Sequence, residues 1–176
     1  MRLIIGILAG FAIIMLYFYM QPADESLQVV APEGYVEVTV KDVRIYPEGG
    51  VILLGENMSN EVLPIYVAAD QAREMVRTMR NIPAERPLTH DLIKKILDNA
   101  NMRLAYVSID RLEGEIYYAT IAAGNGAAIK IDARPSDSII LALKSGTPIY
   151  VHKNLMKEKG VLPERVEIRS FKYETV

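Results

Sequence analysis

The stretch Asp132-Ala-Arg-Pro-Ser-Asp-Ser-Ile-Ile-Leu-Ala-Leu-Lys-Ser-Gly-Thr-Pro-Ile-Tyr-Val151 decides how the rest of the chain is read. Pro135 fixes its own φ and pushes Arg134 out of the α region, so the preceding strand has to end there. Ser136 is placed as an N-cap, Asp137 falls in the first turn where the helix dipole favours an anion, and Gly146 is placed to stop the helix. Between them Ile139, Ile140, Leu141, Ala142 and Leu143 are apolar nearly all round, which predicts a deeply buried helix. A β-branched strand follows over residues 147–151. The whole is a strand-to-helix junction with Asp132, Arg134 and Asp137 gathered at one rim.

Upstream of this junction, Ala127-Ala-Ile-Lys-Ile-Asp132 reads as the strand that delivers it, entered through the tight turn Gly124-Asn-Gly126. Strands over 104–110 and 115–122 are joined by Arg111-Leu-Glu-Gly114, a hairpin signal. A helix from 89 to about 101 is capped by Thr89, with Leu92, Ile93, Ile96, Leu97 and Ala100 as its expected buried stripe. His90 and Asp91 therefore sit in its first turn. Another helix, over 68–81, turns Ala72, Met75, Val76 and Met79 inward and Arg73, Arg77 and Arg80 to another face, which reads as solvated.

The first strand block alternates apolar and polar residues over 35–43, turns at Pro47-Glu-Gly-Gly50 and returns over 51–54. A third strand over 62–67 carries Pro64, which suits an edge or a bulge and not a central ladder. Past residue 151, a short helix from Asn154 and a strand over 165–171 complete the pattern. Strand blocks interrupted by helices predict an α+β domain: a mixed, mostly antiparallel sheet with three to four helices. Pro64-Ile-Tyr-Val67 recurs as Pro148-Ile-Tyr-Val151, a short echo compatible with an internal duplication.

The 176 residues allow one domain with a real core. All 22 acids and 19 of the 20 Lys and Arg lie after residue 20, so the region beyond it is mildly acidic. That is a poor footprint for holding nucleic acid through many phosphate contacts, and such binding requires a local patch or a metal. The absence of cysteine removes disulfides and thiolate chemistry. Residues 3–20 are 18 uncharged residues, a helix of roughly 27 Å and close to a bilayer's hydrocarbon thickness. They read as a transmembrane anchor, against the alternatives of a cleaved signal or a buried core helix. Tyr17 and Tyr19 suit the interfacial belt. Arg2 on one flank and Asp24 and Glu25 on the other predict a cytoplasmic N-terminus with the domain outside. The expected organisation is an anchor at 1–20, a linker at 21–34, a domain at 35–160 and a tail at 161–176.

Phosphate loops, His-Glu-x-x-His pairs, Gly-x-Ser-x-Gly elbows and Cys ligands are all missing, which leaves carboxylate, histidine and arginine chemistry. Phosphodiester cleavage from that inventory needs clustered carboxylates on a hard cation, magnesium or manganese, with a base and an arginine for the developing charge. Asp91, Asp132 and Asp137 are the candidate metal ligands, His90 the candidate base and Arg134 the phosphate contact, provided that the two helix starts face each other. The plainer reading is that Asp137 complements a helix start, Asp132 and Arg134 pair at a strand end, and His90 is structural.

Three blocks in order, Leu63-Pro-Ile-Tyr-Val67, Arg86-Pro-Leu-Thr-His-Asp-Leu92, and the opening stretch, make residues 35–160 resemble the bifunctional nuclease family. Its members are credited with both RNase and DNase activity. Ser138 stands where that family usually has alanine, and Gln71 where many members have glutamate, which removes an acid. The resemblance implies the fold, a nuclease acting on RNA or DNA, and self-association, for which the Pro64 strand and a Met-bearing helix face are suited. Two functions follow as expectations: a membrane-tethered nuclease, or a non-catalytic binding or assembly module in which the same residues only cap helices and pair.

Overall fold

The computed structural model of the chain describes Met15, residues 31–125 and residues 127–166. Apart from Met15, the expected anchor lies outside the described residues, as do most of the linker and the strand expected beyond Arg165. Among the described residues no helix is long and apolar enough to cross a membrane.

In chain order the elements are β1 (Tyr35–Tyr46), β2 (Gly49–Gly55), β3 (Leu63–Val67), α1 (Ala69–Met79), α2 (Thr89–Asn99), β4 (Arg103–Glu113), β5 (Ile116–Asn125), β6 (Ala127–Ala133), α3 (Pro135–Ser145), β7 (Ile149–His152) and α4 (Lys153–Lys159). A 3-10 turn at Pro163–Arg165 follows. The sheet has seven strands in the order β3-β2-β1-β7-β4-β5-β6. Every pairing is antiparallel except β4 with β7, so the expected mixed, mostly antiparallel α+β fold is the one found.

β1 joins the two halves of this sheet. Its first part, Tyr35 to Val38, pairs with β7, and its remainder pairs with β2, with a bulge between Val40 and Asp42. The bulge lets one strand serve two partners by bending and twisting between them. On either side a three-stranded meander runs outward, β1-β2-β3 and β4-β5-β6, and each ends in a helix. A strand-strand-strand-helix unit thus occurs twice, but the Pro-Ile-Tyr-Val echo falls on non-equivalent strands, the edge strand β3 and the central strand β7.

The core fills the space between one sheet face and the helices. Val38, Ile52, Leu54, Ile65, Val107, Ile109, Ile121, Ile149 and Val151 line that face, against Ala72 and Met75 of α1 and Ile139, Ile140, Leu141 and Ala142 of α3. α3 buries seven of its eleven residues, as its composition predicts, and Gly146 ends it in the left-handed conformation at φ 64°. Val51, Leu53 and Val62 form a second cluster on the opposite sheet face with Tyr46, Tyr66 and Val166.

Two expectations about helix starts are corrected. Arg134, not Ser136, is the N-cap of α3, because Pro135 is already the first helical residue and has no N–H that would require an acceptor. Leu88, not Thr89, precedes α2, and Asp91 caps it by accepting the Leu88 N–H at 2.9 Å. The expected apolar stripe of α2 is realised only in part: Ile93 packs against the core and Leu97 is half-buried, whereas Leu92 and Ile96 are more than half exposed, and His90 is the one fully buried residue of the helix.

Gly50 shows how closely α1 is seated. A Cβ there would run into the Ala72 Cβ, so β2 and α1 approach at a distance only glycine allows. Gly50→Ala is expected to lower stability by about 1–3 kcal/mol, read as a shift of the urea midpoint with an unchanged slope.

Candidate active site at three helices

Two helix starts do face each other. The His90 ring of α2 lies between Glu74 of α1 and Asp137 of α3, with Nδ1 2.9 Å from Glu74 Oε1 and Nε2 3.2 Å from Asp137 Oδ1. A neutral imidazole donates from one nitrogen only, so both contacts act as hydrogen bonds only when the ring carries both protons. Asp137 in turn accepts two bonds from Arg134, at 2.6 Å from Nε and 3.1 Å from Nη2. This charge-assisted fork raises the Arg134 pKa, the hydrogen bond to Asp137 being the largest cause. Gln71 of α1 completes the ring: its carboxamide nitrogen donates to Ser136 Oγ at 2.9 Å and its oxygen accepts from Arg134 Nη2 at 3.1 Å. The glutamine bonds a hydroxyl and a guanidinium with opposite ends of one neutral group, donating to the first and accepting from the second.

Lys144, at the other end of α3, makes a second link. Its Nζ donates to Asp91 Oδ1 at 2.7 Å and lies 3.9 Å from Glu74 Oε1. The bond from Lys144, followed by the one from the Leu88 N–H, holds the Asp91 carboxyl below its ordinary range. From the buried ring outward the cluster becomes progressively wetter, and at its rim the Arg134 side chain is 71% exposed.

Of the five residues singled out by sequence, His90, Asp91, Arg134 and Asp137 belong to this cluster, and Asp132 does not. Asp132 sits opposite Thr120 across the β5–β6 ladder, on the sheet face away from the helices, because side chains alternate along a strand. It is exposed and makes no hydrogen bond or ion pair with a described residue, so the expected Asp132–Arg134 pair is replaced by Arg134 with Asp137. Next to it on that face Asp110 accepts hydroxyl bonds from Ser108 and Thr120 at 2.6 Å each and from Tyr35 at 2.9 Å. Burial, and then the bond to Asp110, push the Tyr35 hydroxyl up to about 12.

Glu74 and Lys144 are cluster members that the sequence reading did not assign, and Gln71 is one that it noted only as a missing acid. Gln71 and Glu74 share the face of α1 that looks toward α3, at a spacing of i, i+3, and this polar line beside an apolar stripe was the available signal. The expected cation ligands Asp91, Asp132 and Asp137 do not converge. Asp91 is bonded to Lys144, Asp137 to Arg134 and His90, and Asp132 points to the other face. Among the described residues no three His, Cys, Asp or Glu side chains are grouped to hold a metal ion, so this arrangement does not fit magnesium or manganese.

The fold and this cluster define an α+β domain with a charged, partly open seam at its helix starts. A family model described as the bifunctional nuclease domain matches residues 51–164. An uncharacterized protein of Mycobacterium tuberculosis is 34% identical over 72% of this chain and 77% of its own length. Bifunctional nuclease 2 of Oryza sativa subsp. japonica is 29% identical over 65% of this chain and 37% of its own length. Bifunctional nuclease 1 of Arabidopsis thaliana is 27% identical over the same two shares. The chain belongs to the bifunctional nuclease domain family, and it spans little more than a third of these plant relatives.

Removal of the His90 ring leaves Glu74 and Asp137 facing each other without a donor between them. His90→Ala is expected to cost about 3–5 kcal/mol in denaturant unfolding, with hydrogen exchange rising first in α2. The Asp91 pKa is depressed in the folded state, so its contribution is present at neutral pH and lost as pH falls through the folded value. Lys144→Met should therefore be less stable than the parent at pH 7, and the gap should close as the pH is lowered through the acid range.

Proposed function

We propose that this chain hydrolyses phosphodiester bonds of RNA or DNA at the seam between α1, α2 and α3. The observation that carries the reading is the chain of contacts Glu74–His90–Asp137–Arg134, which runs from a buried imidazole to an exposed guanidinium. Arg134 is the phosphate contact, since its exposed Nη atoms are fixed in orientation by Asp137 and Gln71. Asp137 touches both Arg134 and His90 and reaches solvent, which gives it the acid–base role beside a docked phosphate. His90 is the positioning residue behind it, and Glu74 orients the far ring nitrogen. Membership of a family that includes proteins named bifunctional nucleases supports the same reading.

Residues 3–20 would hold this domain at a bilayer, with the domain outside the cytoplasm, and protease protection on intact cells tests the orientation. A dependence on magnesium or manganese belongs to the proposal only as an arm of the assay. A second reading, a binding or assembly module without catalysis, draws on one observation: each charged group of the seam already has a partner, as in a purely structural lock.

Full-length protein in detergent, incubated with plasmid or RNA with and without each cation, separates the two. Cleavage by the parent protein, a loss of about 100-fold or more in Arg134→Ala, and retention in Asp132→Asn support the nuclease. Since Arg134 is largely exposed, its variant should melt close to the parent. No cleavage under any condition, with Arg134→Ala still folded, supports the module instead.

A further inference from the structure

The sheet has an open flank in its interior. β7 pairs with β1 only over Tyr35 to Val38, so from Thr39 to Tyr46 the flank of β1 that faces away from β2 has no strand against it among the described residues. The Val43 N–H is answered by the neighbouring Asp42 carboxylate at 2.8 Å and not by a strand. Where this flank meets β7 it widens into a groove of about 410 Å³, lined from the helix side by Val38, Val40, Met79 of α1, Leu143 of α3, Pro148 and Ile149. Glu37 lines it from the other face of β1, exposed and without a hydrogen bond or ion pair to a described residue. Flanks and grooves of this kind are normally covered.

We propose that the chain's own C-terminal segment, Glu167-Ile-Arg-Ser-Phe-Lys-Tyr173, runs back along this flank antiparallel to β1 and seats Phe171 in the groove. The starting point is fixed by the described residues. Arg44 Nη1 donates to the Pro163 carbonyl at 3.1 Å, and Val166 packs with Tyr46 on the cluster of Val51, Leu53 and Val62, so the chain arrives beside the far end of the open flank. Length then selects the residue. From Tyr46 back to Val40 is roughly 20 Å of strand, which an extended chain leaving Val166 covers between Phe171 and Tyr173. Alternation selects the same pair. Val166 lies on the face away from the helices, so Phe171 and Tyr173 turn to the helix side, where Met79 and Leu143 wait, and Lys172 turns to the other side, where Glu37 stands. The strand expected over 165–171 thus finds its place, and the seated ring ties the C-terminal ends of α1 and α3 to the sheet. The inference stands apart from the cleavage reading, because its tests read only where the tail lies.

The chain has neither cysteine nor tryptophan, so introduced probes report alone in the full-length protein in detergent. Facing positions of adjacent strands lie about 4.5–5.5 Å apart at Cα, within disulfide reach. Thr39→Cys combined with Lys172→Cys should therefore close a disulfide within one chain on mild oxidation. Met58→Cys combined with Lys172→Cys should not, since Met58 is fully exposed on the loop after β2. Phe171→Trp should emit at shorter wavelength than Thr175→Trp and lose most of its quenching by iodide. Both probes sit in the tail or at an exposed rim, so the fold is left alone. Equal cross-linking of the two thiol pairs, disulfides that join two chains in place of closing within one, or equal emission and quenching at the two tryptophan positions would overturn the proposal.

Discussion

α2 is seated by Ile93 against the core and by a set of polar contacts around His90. An amphipathic helix ordinarily docks by burying a whole apolar stripe, yet Leu92 and Ile96 point to solvent, Ile93 is only partly buried against the core, and the one fully buried residue is an imidazole. Besides Ile93, a set of short polar links ties the helix to its neighbours: His90 to Glu74 and Asp137, and Asp91 to Lys144. In every link the two partners sit on different helices, so the three helices are located relative to one another by the same contacts that shape the seam. The geometry of the site and the integrity of the helical layer are therefore one property.

The fold was largely legible and the site only in part, for reasons that follow from range. Pro135, Gly146 and the apolar run between them act locally, and α3 forms where they place it. Pro64 likewise marks an edge through a missing N–H, a fact of one residue. The partners of His90 lie 16 and 47 residues away, and nothing local to His90 names them. Asp132 was misplaced for a different reason. Nearness in sequence to Arg134 and Asp137 suggested nearness in space, but the strand alternation carries its carboxylate through to the other side of the sheet. In α2 the helical period is right and the burial only in part, because periodicity records which residues share a face and not how much of it is covered.

The two sheet faces accordingly do different work. One is dry, closed by α1 and α3, and its margin carries the charged seam. The other carries Asp110, whose carboxylate gathers hydroxyls from β1, β4 and β5 and so pins strands that are not all neighbours in the ladder. Tyr35 reaches over β7 to do this, and its ring also packs edge-on against His152 at 5.0 Å. A satisfied acid of this kind holds the sheet in place, whereas the adjacent exposed Asp132 makes no hydrogen bond or ion pair with a described residue.

The double pairing of β1 has a consequence for how the molecule comes into being. Its distal part finds β2 a few residues later, as any hairpin does, but Tyr35 to Val38 wait for β7, more than one hundred residues downstream. On a ribosome the first meander can close early while this short overhang stays without a mate until nearly the entire domain has emerged. Insertion of β7 between β1 and β4 is then the event that welds two preassembled halves, and before it the nascent chain presents two raw inner margins instead of one finished sheet.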